Sequence, residues 1–333
     1  MSHEIERNDS TIFVGQPAWH GLGRVLPESP SVDEALRMTM DWEPEPVPLI
    51  RADTNEVIDS TALVRSDDRT LLSVVTQRYN VIKNATVAKA VGIAFPSGKV
   101  ETAGSLRGGK QVWFLVRTPD QDFDVPNRND DKVQGYGLIT SSHDGTIPLT
   151  GLPTGVRVVC ANTMSMALAR AKKPISVRHK GIDIASEDAV LAMVYRQAEV
   201  IASGMARLKE GTEFLARTQM DSKWAKEYIA NVVLNFFGKP VDSPVKWKSD
   251  EEQAEAKALA SKLYSYLDHP KVKTTNGVTT RWEAYNAVTQ WSVHERRTRG
   301  SRGESNWLGS GAEMSKFAFD LAVDWDAPAV ATI

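Results

Sequence analysis

The chain has 333 residues, of which 41% are hydrophobic and 25% charged, the balance of an ordinary globular protein with enough apolar side chains for a core. Lys and Arg total 40 against 42 Asp and Glu, a net charge of −2, which excludes a uniformly basic protein. The single cysteine, Cys160, excludes an intramolecular disulfide and a cysteine-rich zinc cluster.

The polar, acidic start lacks the basic and apolar stretches of a secretion signal, and no run of about 18 apolar residues follows. A cytoplasmic protein without a membrane span is expected. Residues 1–60 hold twelve acids against four basic residues. Ser31 to Met40 reads as a short helix, with Ser31 as N-cap and Asp33 and Glu34 in its first turn. The prolines of 43–48 exclude helix interior, so that stretch reads as an extended connector. From 57 to 160 short apolar runs alternate with polar turns, as in strands, and Asp67-Asp68-Arg69 reads as a hairpin tip. Lys83 to Phe95, with Val87, Val91 and Phe95 four apart, reads as a helix. Asp120 to Asp131 reads as an acidic loop. Val158 to Leu168 reads as a strand entering a helix, with Asn162 or Thr163 as cap.

The second half is helical. Ser186 caps a long helix in which Leu191, Val194, Ala198, Ile201, Met205, Leu208 and Leu215 form a stripe like a coiled-coil seam, with Thr212 among them. Further helices are expected at about 221–237, 250–267, 281–297 and 311–323, with Trp282 and Tyr285 in the core. The fold class expected is α+β: an N-terminal, mostly antiparallel β-sheet with packed helices, then a C-terminal helical region. The expected division is an acidic N-terminal segment 1–56, a β-rich core domain 57–180 with a basic exit, and a helical domain 181–330.

The chemistry sits in the turns. Arg107-Gly108-Gly109-Lys110 joins two strands, with Trp113 and Arg117 just beyond. Glycines let backbone N–H groups approach a phosphate, cations neutralise it, and aromatics stack bases. The plainer reading is a tight hairpin turn with a core tryptophan. Ser141-Ser142-His143-Asp144-Gly145-Thr146 holds the residue types of a catalytic triad, but three neighbours in sequence do not converge as a triad must. His143 suits phosphate binding or turn structure better. None of the six histidines has zinc-site spacing, so no metal is expected. Residues 141–180 carry Arg157, Arg170, Lys172, Lys173, Arg178 and Lys180 against Asp144 alone, a basic exit suited to a phosphate backbone or simply solvated.

Three of these blocks carry a family resemblance: Gly104-Ser-Leu-Arg-Gly-Gly-Lys-Gln-Val-Trp113, Ser141-Ser-His-Asp-Gly-Thr146 and Arg157-Val-Val-Cys-Ala-Asn-Thr-Met-Ser-Met-Ala-Leu168. They resemble the signature of the domain of unknown function 932, with departures at Thr146 and Ala161. The blocks Pro17 to Gly23, Tyr285 to Thr289, His294 to Arg296 and Glu304 to Gly311 resemble its longer phage- and plasmid-like subfamily. The resemblance implies a phage or plasmid origin in a bacterial host cell and no established activity. The first half is also distantly similar in architecture to single-strand annealing proteins, which bind DNA backbone in a basic groove, without hydrolysis, as ring oligomers.

The resulting expectation is a single-stranded-DNA-binding or annealing protein of recombination or replication, homo-oligomeric, binding rather than catalysing, with no cofactor. Its nucleic-acid contacts would be Arg107, Lys110, Trp113, Arg117, Tyr136, His143, Arg157, Lys172, Lys173 and Arg178. The alternatives are a protein-interaction module acting on a host factor, for example in counter-defence, and a DNA- or nucleotide-processing enzyme using His143 and Asp144.

Overall fold

The computed structural model describes residues 10–15, 23–128, 131–157, 162–165, 175–179, 186–240, 245–269, 272, 279–296 and 310–324. The architecture is α+β, with strands in the N-terminal half and helices in the C-terminal half. Strands are β1 (Thr11–Val14), β2 (Arg24–Leu26), β3 (Pro44–Ile50), β4 (Val57–Arg65), β5 (Leu71–Val75), β6 (Lys99–Leu106), β7 (Gln111–Arg117), β8 (Phe123–Asp124), β9 (Lys132–Ser142), β10 (Leu149–Arg157), β11 (Asn162–Ser165) and β12 (Ile175–Val177). Helices are α1 (Val32–Thr39), α2 (Asn84–Ala94), α3 (Glu187–Arg217), α4 (Ser222–Phe236), α5 (Asp250–Ser265), α6 (Arg281–Gln290) and α7 (Ser310–Asp324), with a π-helical turn, Trp291–Glu295, continuing α6.

The chain forms two compact units. Unit 1 comprises residues 1–121, 135–153 and 172–203; unit 2 comprises residues 122–134, 154–171 and 204–333. In unit 1 a large sheet runs in the order β10-β9-β7-β6-β1-β2, with β12 on β10, and a smaller sheet runs β3-β4-β5. The large sheet is antiparallel except for the parallel pair β1–β2. Its register explains the core. Ala103, Phe114 and Ile139 are cross-strand partners, and all are buried against Val87, Val91 and Phe95, contributed by α2 and its C-cap. Leu63 of β4 and Leu72 of β5 bring the small sheet into the same core.

One glycine is fixed by that packing. A Cβ on Gly137 of β9 would lie 2.1 Å from the Phe95 ring, so the ring occupies the space a side chain would need. Gly137→Ala is expected to destabilise unit 1 by about 1–3 kcal/mol through overpacking, measured as a lower urea midpoint.

Unit 2 is a helical core. Leu208 and Leu215 of α3, Tyr228, Val232 and Val233 of α4, Leu259 and Leu263 of α5, Trp282, Tyr285 and Val288 of α6, and Ala318 of α7 pack together. Beside them, β8 pairs with the start of β9, and β11 pairs with the end of β10.

Local rules account for most boundaries. Ser31 caps α1 and Glu34 returns to the Ser31 backbone, a complete capping box. Ser186 Oγ accepts from Ala189 N at the start of α3. The proline stretch is extended, but as an edge strand rather than a connector. Pro44, Pro46 and Pro48 share one parity in β3, and Glu43 O accepts from Ser66 N on the opposite parity. All three missing N–H groups therefore face away from β4, where no ladder bond is lost. Residues 162–165 are strand β11, so Asn162 and Thr163 do not begin a helix; pairing with β10 overrides their capping propensity. Four residues of the α3 stripe are core rather than an open seam. Val194 packs into the core of unit 1, while Met205, Leu208 and Leu215 pack into that of unit 2.

Candidate nucleic-acid interface

The β6–β7 turn, Arg107–Gly109, uses the left-handed region three times in a row, with φ of 54° at Arg107, 70° at Gly108 and 97° at Gly109. Gly109 is required twice over, because a Cβ there would also lie 2.7 Å from the buried Trp42 ring. The Arg65 guanidinium covers Trp42, 4.4 Å from its ring centre, and is held by Asp67 and Asp68. A small cleft opens beside this turn, lined by Ser10, Arg65, Asp68, Thr70, Ser105, Gly108 and Gly109.

The His143 turn docks on the same loop. His143 N donates to Lys110 O at 2.8 Å, and Ser73 Oγ donates to His143 O at 2.6 Å. The imidazole is 1% exposed and lies edge-on to Trp42. Asn84 fixes its tautomer: Asn84 Nδ2 donates to Trp42 O at 2.7 Å, so Asn84 Oδ1 is left to accept from His143 Nε2 at 2.9 Å. Burial, with His179 nearby, pushes the His143 pKa down to about 3. The ring is therefore neutral at physiological pH, with its proton on Nε2. Asn84 in turn begins α2, whose first N–H groups, at Asn84 and Ala85, donate to the Glu43 carboxylate. Burial raises the Glu43 pKa despite those two bonds.

Ser141, His143 and Asp144 do not converge. Ser141 Oγ lies 3.4 Å from His179 Nε2, and the His179 Nδ1 proton points to Asn80 O at 3.2 Å. Tyr79 stacks flat on His179 and donates to Ser142 O. Burial lowers the His179 pKa. Asp144 accepts from Thr146 N and Oγ1 within its own turn. Burial opposes its ionisation, but bonds from Thr146 and Ser142 and the charge of Arg107 hold its pKa below the usual carboxylate range.

The ten residues singled out in the sequence thus take different places. Arg107 and Lys110 are partly exposed on the loop around the His143 turn. Arg178 is exposed beside His179. His143 is inside the loop cluster rather than on its surface. Trp113 lies mid-strand in β7 at 8% exposure. Arg117 and Tyr136 are cross-strand partners at the other end of β7, seven residues or about 23 Å from Lys110 at the usual strand rise. Tyr136 is buried, with the Arg117 guanidinium 5.2 Å from its ring centre, and Arg117 also donates to Gly135 O. Trp113 and Tyr136 are therefore packed side chains in this conformation, without a free face for a base. Arg157 ends β10, paired with Asn162. Lys172 and Lys173 lie outside the described residues.

Sequence reasoning passed over Trp42, Glu43, Asn84 and Tyr79, and read His179 only for metal spacing. These residues form the frame under the loop. Among the described residues, no group of His, Cys, Asp and Glu side chains is arranged to hold a metal ion, and no helix is long and apolar enough to cross a membrane.

A partly exposed cationic turn, braced by a buried histidine–amide–indole cluster at one end of an antiparallel sheet, defines an α+β protein with a basic loop seated on a buried frame. Residues 71–308 match the family Domain of unknown function (DUF932), and the chain belongs to that family. No curated protein and no solved structure is detectably similar to it.

Proposed function

We propose that the protein binds single-stranded nucleic acid through backbone phosphates, without catalysis, in the recombination or replication of a phage or plasmid. The observation that carries this reading is the cationic end of the large sheet in unit 1. Arg107 and Lys110 flank the His143 turn, and Arg178 adjoins the His179 ring packed against Ser141. The frame below holds them in place before any ligand arrives, so little ordering opposes binding. With Trp113 and Tyr136 buried, the contacts are to phosphate and carry little sequence preference. Strand annealing is the activity such a surface supports, because bases left unstacked on protein remain free to pair.

Fluorescence anisotropy of a labelled single-stranded oligonucleotide at several salt concentrations tests this. Three phosphate contacts give a log–log salt slope of about −2. Arg107→Gln, Lys110→Gln and Arg178→Gln should each weaken binding and flatten the slope by about 0.7. Trp113→Phe should leave affinity unchanged. Absence of binding at low salt, or full binding by the triple glutamine variant, overturns the reading.

A further inference from the structure

We infer that the small cleft beside the β6–β7 turn takes a sugar hydroxyl of the nucleotide whose phosphate rests on Arg107 and Lys110. This rests on the nucleic-acid reading and adds a sugar contact to the phosphate contacts.

The walls of the cleft all belong to unit 1. Ser10 precedes β1, Arg65 ends β4, Asp68 and Thr70 lie on the β4–β5 hairpin, Ser105 is near the end of β6, and Gly108 and Gly109 are the turn itself. Cleft and cationic turn thus share two residues, and Arg107 directly precedes them. The space is about 320 Å³ including its open mouth, at the lower end for small-molecule pockets, so it admits the edge of a sugar rather than a whole nucleoside.

Ser105 is the residue that points to a ligand. It shares the parity of Ala103, so its side chain stands on the core face of β6. The residue is 2% exposed, yet its hydroxyl has no hydrogen-bond partner among the described residues. A serine buried that far bonds to protein or to whatever fills the space beside it. Here the space beside it is the cleft.

Charge decides which group enters. The Arg65 guanidinium is already engaged by Asp67 at 2.6 Å and by Asp68 at 3.5 Å. One cation against two carboxylates leaves this wall with a negative balance. A phosphate, which is an anion and only accepts, is therefore repelled and stays on the turn. A neutral hydroxyl both donates and accepts, which suits a wall of carboxylate, guanidinium and serine. Beside a nucleotide phosphate such a hydroxyl has two sources, the 2′-hydroxyl of RNA and the 3′-terminal hydroxyl of a DNA strand. Their chemistry is the same, and the choice of probe separates them.

Fluorescence anisotropy with three short 5′-labelled single strands of one sequence tests the inference: DNA ending in a 3′-hydroxyl, DNA ending in a 3′-phosphate, and RNA ending in a 3′-phosphate. One of the two hydroxyl-bearing strands should bind about fivefold more tightly than the 3′-phosphate DNA, the worth of one neutral hydrogen bond. Tighter RNA assigns the 2′-hydroxyl, and tighter 3′-hydroxyl DNA assigns the chain end. Ser105→Ala should bind all three alike, with an unchanged circular-dichroism spectrum. Should it fail to fold, Ser105→Val serves in its place, since valine suits a strand and also lacks the hydroxyl. Equal binding of the three strands by the wild type, or a folded Ser105 variant that keeps the preference, overturns the inference and leaves the phosphate contacts standing. Binding of none of the three at low salt overturns the nucleic-acid reading and the inference with it.

Discussion

Arg128→Met is expected to lower the stability of unit 2 by about 3–5 kcal/mol, one of the two largest effects anticipated for this chain. The Arg128 and Glu283 side chains are 5% and 1% exposed and form an ion pair at 2.7 Å. Removing the arginine strands a carboxylate away from water, which costs far more than the pair itself contributes. The damage spreads because Glu283 has a second task. Its other oxygen accepts from Thr280 N at 2.8 Å and Thr280 Oγ1 at 2.7 Å, closing the capping box of α6. Arg128 Nη2 also donates to Thr280 Oγ1, so ion pair and cap form one network. Helix α6 is the central element of its core, with every residue from Trp282 to Gln290 buried. Thermal unfolding followed by circular dichroism should show the midpoint of Arg128→Met falling by roughly 10 °C. The double variant Arg128→Met/Glu283→Leu should unfold at a higher temperature than Arg128→Met, because no unpaired charge is left. If the single variant is as stable as the wild type, the network carries no net stability.

What could be read from the sequence follows the range of the interactions involved. Helix α1 was legible because Ser31 and Glu34, three residues apart, are enough to build its cap. The helices of unit 2 were legible from apolar spacing, and the Arg107–Lys110 turn from its glycines. The proline stretch was legible as extended but not as a strand. Edge position depends on β4, and only the shared parity of the prolines hinted at it. The frame beneath His143 was hidden, because Trp42, Asn84 and His179 meet it from sequence distances that no local pattern encodes. Trp113 and Tyr136 illustrate a different limit. An aromatic beside cations in a strand fits a base platform or a packed side chain equally well, and register and burial decide it. The Asn162–Thr163 pair was misread because a local capping preference of about 1 kcal/mol is weaker than a ladder of backbone bonds with β10.

The second large effect is a loss of stability in mild acid, driven by His143. In the unfolded chain this histidine takes up its proton near its ordinary value of about 6.5, whereas in the fold burial lowers its pKa to about 3. The folded state therefore binds fewer protons than the unfolded state throughout that interval, and stability falls as pH falls across it. The contribution is fully present above about pH 6.5, is reduced by about 2 kcal/mol at pH 5, and is lost near pH 3. His179, whose pKa burial also lowers, acts in the same direction. Glu43, raised by burial, acts in the opposite sense: its charged form is the disfavoured one, so acid relieves it. Its carboxylate also holds the first N–H groups of α2, and protonation weakens that cap, which limits the relief. Urea unfolding at pH 7.5, 6 and 5 should show the decline. His143→Gln should flatten it, because glutamine keeps an N–H donor for Asn84 Oδ1 and takes up no proton. An equally steep decline in His143→Gln would assign the acid sensitivity to other groups. The same measurement bears on the basic loop. His143 supports the backbone of Lys110 and carries Ser73 on its own carbonyl, so charging the buried ring would loosen the turn that presents Arg107 and Lys110. Binding that depends on those two cations should then weaken in acid together with stability, although phosphate contacts by themselves gain nothing from a higher pH.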